Sequence, residues 1–241
     1  MPHTLAGLYM LCLLFLSACA DQPGQPLPAL RIQEPLPSLA AEYQTTLSDT
    51  YAKRPKNGSR HYRWRLYRAA DRIETHNLCA ESSEVWSRTH YGEINHQQLF
   101  HAQKRLIEYV SGDLKAIGQL PIWTTLATLI SPTDLSALHA VGEERYGEFS
   151  AIRYAGSIAE EQETLELLWL PQLQLPALIK RQRRDHALQT RLIEWHHLGD
   201  SPWPTPETAD YRVIDFADLG DKEHDPALIG LLPGSPHPHS D

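Results

Sequence analysis

Four phenylalanines, two methionines and three cysteines are all that these 241 residues contain of those types. The first eighteen positions hold no Asp, Glu, Lys or Arg. Each scarcity excludes something. With so few cysteines there is no second Cys pair for a zinc site. The apolar run Leu5 to Leu16 is too short to cross a bilayer, which takes about 20 residues. The Gly-x-Ser-x-Gly elbow, the Gly-rich phosphate loop and the Rossmann fingerprint are all absent, so no catalytic residue is assigned and a non-enzyme is expected. The formal net charge of −8 argues against nucleic acid as a partner.

What is present begins at the N-terminus. A short apolar stretch ending in small residues is the pattern of a secretory signal, although Met1-Pro2-His3-Thr4 lacks the usual positive charge. Its end, Leu16-Ser17-Ala18-Cys19, resembles the bacterial lipobox. That resemblance implies removal of residues 1–18 as a signal peptide and acylation of Cys19, palmitate being the usual chain. One chain binds a membrane only marginally and two or more hold firmly, at about 0.8 kcal/mol per buried CH₂. Ala20, not Asp, follows Cys19, so the expected location is the outer membrane, facing the periplasm, over the inner membrane. Cys12 leaves with the signal and Cys19 carries lipid. Cys79 then has no internal partner, and is either buried or paired between chains.

Residues 19–40 form a lipidated, flexible tether rich in Pro and Gln (Gln22, Pro23, Gln25, Pro26, Pro28, Pro35, Pro37), best read as an extended spacer. Residues 41–225 suit a single β-rich domain, and 226–241 a C-terminal tail. Ser38 to Tyr51 is expected to open the body as a short helix. From His61 the period becomes two: Tyr62, Trp64 and Leu66 share one face, and His61, Arg63, Arg65 and Tyr67 the other. Further strands are expected at Arg72–His76, Val85–His90, Gln97–Ala102 and Arg105–Val110, with Ser111-Gly112-Asp113 as a turn. Helical spacing follows in Pro121, Ile122, Trp123, Leu126, Leu129 and Ile130. Ser131-Pro132-Thr133-Asp134 then caps a second helix that buries Leu135 and Leu138. Strands return at Tyr146–Tyr154, Thr164–Leu170, Ala177–Arg184, Leu188–His196 and Tyr211–Phe216. The fold class is α+β: a strongly curved antiparallel sheet, half-barrel-like, with a short helical pair inserted between strand groups.

Leu167-Leu168-Trp169-Leu170, then Leu175-Pro176-Ala177-Leu178-Ile179, then Leu192-Ile193-Glu194-Trp195, give an apolar strand, a Leu-Pro step and an amphipathic return strand. With the order of elements, this resembles the outer-membrane lipoprotein carrier superfamily over residues 60–216. The resemblance implies a half-barrel holding acyl chains in an apolar cavity, here in a membrane-anchored relative and not a soluble shuttle. In those carriers a buried arginine helps govern opening, and no motif places that arginine in this chain. Trp64, Trp86, Trp169 and Trp195 on strands and Trp123 on the helix are the candidate ligand-binding residues. Filling a plain core is their alternative role.

Charge is uneven. Lys53 to Arg72 holds eight Lys or Arg and one Asp, and Glu207 to Asp225 holds seven acids and two basic residues. The basic stretch faces anionic headgroups or is a solvated strand face. The acidic one docks a partner, docks the basic face, or is a solvated turn. Asp215, Asp218, Asp221, Glu223 and Asp225 do not fit EF-hand spacing. His76 with Cys79, His196-His197, and His237 with His239 do not make a zinc set. No cofactor and no metal are expected. The function expected is a membrane-anchored lipoprotein binding an apolar or acyl-chain ligand; the alternative is a scaffold or accessory lipoprotein of a cell-envelope complex.

Overall fold

The computed structural model describes residues 27–49 and 59–219. The stretch 1–18 read as a signal peptide, Cys19 and the stretch 226–241 read as a tail lie outside the described residues. Among the described residues twelve strands dominate: β1 (Leu39–Asp49), β2 (Arg60–Arg68), β3 (Arg72–Asn77), β4 (Ser82–Arg88), β5 (Ile94–Phe100), β6 (Arg105–Tyr109), β7 (His139–Tyr146), β8 (Phe149–Ile158), β9 (Glu163–Leu170), β10 (Leu175–Gln182), β11 (His186–His197) and β12 (Arg212–Asp215). All belong to one sheet, in the order β12-β6-β5-β4-β3-β2-β1-β11-β10-β9-β8-β7. Between β6 and β7 lie three short helices, α1 (Ser111–Ala116), α2 (Trp123–Thr128) and α3 (Pro132–Ala137).

Four expectations are corrected. Ser38 to Tyr51 is not a helix: its described part is β1, the strand that pairs with both β2 and β11. The reason is pairing on both sides: Leu39, Ala41, Tyr43, Thr45 and Leu47 share one face, and both edges of the strand are taken by β2 and β11. The single strand expected over Tyr146–Tyr154 instead spans the last residue of β7, a turn at Gly147 with φ +59, and the first six residues of β8. The sheet is not wholly antiparallel, because β12 runs parallel to β6. Ser111-Gly112-Asp113 opens α1, where Asp113 Oδ2 accepts from the Val110 N–H.

The sheet is open and curved. One bond demonstrates the curvature. β7 and β11 are four places apart in the strand order, about 19 Å in a flat sheet. Yet Tyr146 on β7 donates its hydroxyl to the Leu192 carbonyl on β11 at 2.8 Å. Phe149 on β8 likewise meets Trp195 on β11, ring centroids 5.5 Å apart. Register shifts in the β7–β8, β9–β10 and β1–β11 pairings supply the bending that regular strands resist.

Three clusters of described residues hold the fold. The largest joins Leu39, Tyr43, Leu66, Ile73, Ile107 and Leu192 of the sheet to Leu114 of α1 and Trp123 and Ala127 of α2. A second packs Ile130 and Leu138 against Tyr154, Leu165, Leu167, Trp169 and Ile179. A small third one, Val85, Leu99 and Leu106, is covered by Tyr211. Residues 27–33, read from the sequence as spacer, lie against the second cluster through Leu30 and Ile32, and Tyr154 donates to the Pro28 carbonyl at 3.0 Å.

α3 is fixed twice. Ser131 and Asp134 cap it reciprocally. Arg181 of β10 then bridges buried Asp134, at 2.7 Å, to buried Glu163 of β9, at 2.6 Å. Both acids have their pKa lowered: burial opposes ionisation, and the arginine and hydrogen-bond contacts outweigh it. The backbone at the end of α3 sits so close to β8 that a Cβ at Gly156 would lie 2.2 Å from the Ala137 carbonyl oxygen. Gly156→Ala therefore forces α3 from β8 and is expected to cost about 2–4 kcal/mol. A urea unfolding midpoint unchanged by this substitution would contradict the packing described.

Candidate functional site

Of the five described arginines of the first basic run, Arg60, Arg63, Arg65, Arg68 and Arg72, the last four are engaged within the fold. Arg63 and Arg65 share buried Glu42, at 3.3 and 3.0 Å, and Arg72 pairs with Glu74. Lys53, Arg54 and Lys56 lie outside the described residues. Arg68 is different in kind. It continues the face of Trp64 and Leu66 into the interior and is only 1% exposed.

Among the described residues no carboxylate meets it. Instead its guanidinium donates to four backbone carbonyls: Nε to Pro37 at 2.9 Å, Nη1 to Ala127 at 2.7 Å and Gln174 at 3.0 Å, and Nη2 to Leu173 at 2.5 Å. Ala127 lies in the last turn of α2, where carbonyls have no partner within the helix and a cation is favoured. Leu173 and Gln174 belong to the β9–β10 turn, with Gln174 at φ +49. The planar fork of five N–H donors suits such a dispersed set of acceptors. Burial pulls the Arg68 pKa down to about 10, which leaves it charged at neutral pH.

Gln174 extends the node. Its amide nitrogen donates to the Pro171 carbonyl and its amide oxygen accepts from the Gln33 N–H at 2.7 Å. One cation therefore ties the approach to β1, the end of β2, the end of α2 and the β9–β10 turn together. Next to it Tyr43 donates to the Pro176 carbonyl at 3.0 Å, and burial pushes its pKa above the usual tyrosine value.

The five tryptophans named from the sequence separate into two groups. Trp123 opens α2 inside the large cluster, with the Arg88 guanidinium 4.7 Å above its ring. Trp64, Trp86 and Trp195 pack half-buried against that same cluster. Trp64 stacks on Tyr43 at 4.9 Å, and Trp86 on His96 at 3.8 Å. Trp169 stands apart in the second cluster, 1% exposed. α1 and α2 thus lie over a region of Leu66, Ile73, Ile94, Ile107 and Tyr109, with Trp64, Trp86, Trp123 and Trp195 around it.

Sequence reading does not pick out Arg68, though the period-two pattern contains the signal: an arginine falls where the next apolar residue belongs. It also misses a polar chain on the other side of the sheet. There Ser83 Oγ lies 2.6 Å from His101 Nε2, and His101 Nδ1 lies 2.8 Å from the Tyr211 hydroxyl. That chain holds the segment after β11 against the sheet, helped by Trp203, which sits beneath the Arg65 guanidinium at 4.6 Å. Cys79 is exposed in the β3–β4 turn, not buried. In the acidic segment Asp210 pairs with Lys104 and Asp215 caps the Ala217 N–H. Among the described residues no group of three or more His, Cys, Asp or Glu side chains is placed to hold a metal ion.

The region under α1 and α2 also carries a pH response. His96 stacks between Trp86 and Tyr109, and burial pulls its pKa down to about 4. A histidine whose folded pKa is depressed stabilises the fold fully above its unfolded pKa, about 6.5, and that stability is lost as pH falls towards the folded pKa. Unfolding free energy is expected to drop by about 3 kcal/mol between pH 7 and pH 4 through this group. His96→Phe should flatten that part of the profile; an identical slope in both proteins would contradict the assignment.

No family model matches this sequence, and no curated protein matches it. Among solved structures, an uncharacterized conserved protein from Thermus thermophilus is similar at 14% identity and a TM-score of 0.40, over 73% of this chain and 90% of that one. MucB is similar at 15% identity and a TM-score of 0.45, over 74% of this chain and 60% of MucB. A putative outer membrane lipoprotein-sorting protein domain from Vibrio parahaemolyticus is similar at 7% identity and a TM-score of 0.31, over 70% of this chain and 87% of that one.

Proposed function

We propose that this chain is an exported, non-catalytic lipoprotein, anchored through Cys19 to the outer membrane, that takes an apolar or acyl chain on the sheet face covered by α1 and α2. The observation that carries the reading is Arg68. Here the separating partners are backbone carbonyls and one cation, all of which water can satisfy again. Lifting α2 exposes the aromatic and aliphatic floor around Ile73, Ile107, Trp64 and Trp86. An acyl chain buries well there, at about 0.8 kcal/mol per CH₂. The residues before β1 run beside the same node, so a tether pulling on Pro37 acts on the cover itself.

A role as scaffold in an envelope complex is the second reading. It is favoured by Val110, just before α1, and by Ile117, Leu120 and Ile122 between α1 and α2, large apolar side chains that stand exposed.

Native mass spectrometry separates the two. The chain from Ala20 onward, exported through a conventional signal, is expected to carry a stoichiometric adduct that yields phospholipid or fatty acid on extraction. Arg68→Leu should change that occupancy several-fold. A clean mass that persists after incubation with lipid would sink the acyl-chain reading and turn the search to protein partners.

A further inference from the structure

The face that carries the apolar floor changes character along its strands. Registers Trp64↔Asn77, Leu66↔Thr75, Thr75↔Glu84 and Asn77↔Ser82 put Tyr62, Trp64, Thr75, Asn77, Ser82 and Glu84 on one side of β2, β3 and β4. At the Arg68 end of this face the large cluster is packed. At the far end there is an open cleft of 300 Å³ lined by those six side chains and Ser83.

Its chemistry is narrow. Among the described residues that line it, Glu84 alone is charged, so an anionic ligand finds no counter-charge. An acyl chain would strip water from hydroxyls, an amide and a carboxylate without replacing their hydrogen bonds, each at a cost of about 1–3 kcal/mol. A simple cation would use acceptors and leave the donors idle. What remains is a neutral ligand with many hydroxyls, each both donor and acceptor, and an apolar C–H face to lie on an aromatic ring. We propose that this cleft binds a saccharide.

The cleft is arranged for it. Tyr62 is 40% exposed and offers its ring. The Trp64 ring is held in place by stacking on Tyr43 and by its Nε1–H donating to Thr45 at 3.0 Å. Asn77 Oδ1 accepts from the Cys79 and Ala80 N–H groups at 3.0 and 3.1 Å. That turn fixes the amide and leaves its two N–H donors for a ligand. The Thr75 and Ser82 hydroxyls and the Glu84 carboxylate add acceptors and further donors. A sugar ring stacked on Tyr62 would meet hydroxyl partners on two neighbouring strands. This site is independent of the acyl-chain reading, since the carbonyls that hold Arg68 belong to Pro37, Ala127, Leu173 and Gln174 and not to the cleft.

The test is titration of the full chain with chitotriose, cellotriose and maltotriose at millimolar concentration, read by tryptophan emission and by saturation-transfer NMR. A saturable response to at least one is expected. Tyr62→Ala and Asn77→Asp should each weaken it at least fivefold. The second substitution keeps the acceptor that forms the turn and exchanges the N–H donors for a charged acceptor, which a neutral ligand cannot use in their place. Far-UV circular dichroism should be unchanged in both. Silence towards all three sugars, or a response that survives both cleft substitutions, overturns the proposal.

Discussion

A buried guanidinium held by carbonyls and not by a carboxylate is the constraint from which the architecture around it follows. An ionised group in such surroundings must have its donors satisfied or the fold does not form. Arg68 finds its acceptors where chain segments end: the last turn of α2, the tip of the β9–β10 turn and Pro37 before β1. Those segments come from widely separated parts of the sequence. Meeting the needs of one side chain therefore forces strand ends, cover and N-terminal arm to converge. Exposing such a carbonyl to water costs little, whereas burying it unpaired costs about 1–3 kcal/mol. The contact is firm when dry and easily exchanged for water when opened.

Sheet curvature and cover belong together. A flat sheet of twelve strands could not bring β7 to β11, and the Tyr146–Leu192 bond would not form. Once bent, the sheet has an interior that must be filled, and α1 and α2 fill it at one end only. The far end of the same face is polar and open. An elongated face that is apolar under a cover and hydroxyl-rich beyond it suits a ligand with two kinds of surface, or two ligands.

Much of this is legible from residue order, for physical reasons that also mark where legibility stops. β2 announces itself through alternation, and Ser131-Pro132-Thr133-Asp134 carries its capping chemistry locally. β1 escapes because Leu39-Ala40-Ala41 begins it with small apolar residues that suit helix and strand equally. Its identity is decided by partners on either side, and one of these, β11, lies far along the chain, with Leu39 opposite His197. Trp169 has no face legible in the sequence because Leu167 to Leu170 is apolar on both sides and buried throughout, so alternation is silent there. The β7–β8 hairpin is hidden because Glu148 and Phe149 extend the strand pattern across the reversal at Gly147. Arg68 and the Ser83–His101–Tyr211 chain are out of reach as contacts, since polar networks form between strands brought together only by the finished sheet.

The functional reading requires α2 to lift while the sheet stays intact, and since Arg68 holds both α2 and the β9–β10 turn, the two are expected to open together. Native-state hydrogen exchange measures this directly. The amides of Trp123–Thr128 and of residues 171–174 should share one opening free energy, well below that of β1 and β11. Arg68→Lys, which keeps the charge but loses the planar fork, should lower that shared value and leave the strands unchanged. Exchange of both segments only through global unfolding, at the same free energy as β1, would contradict the account.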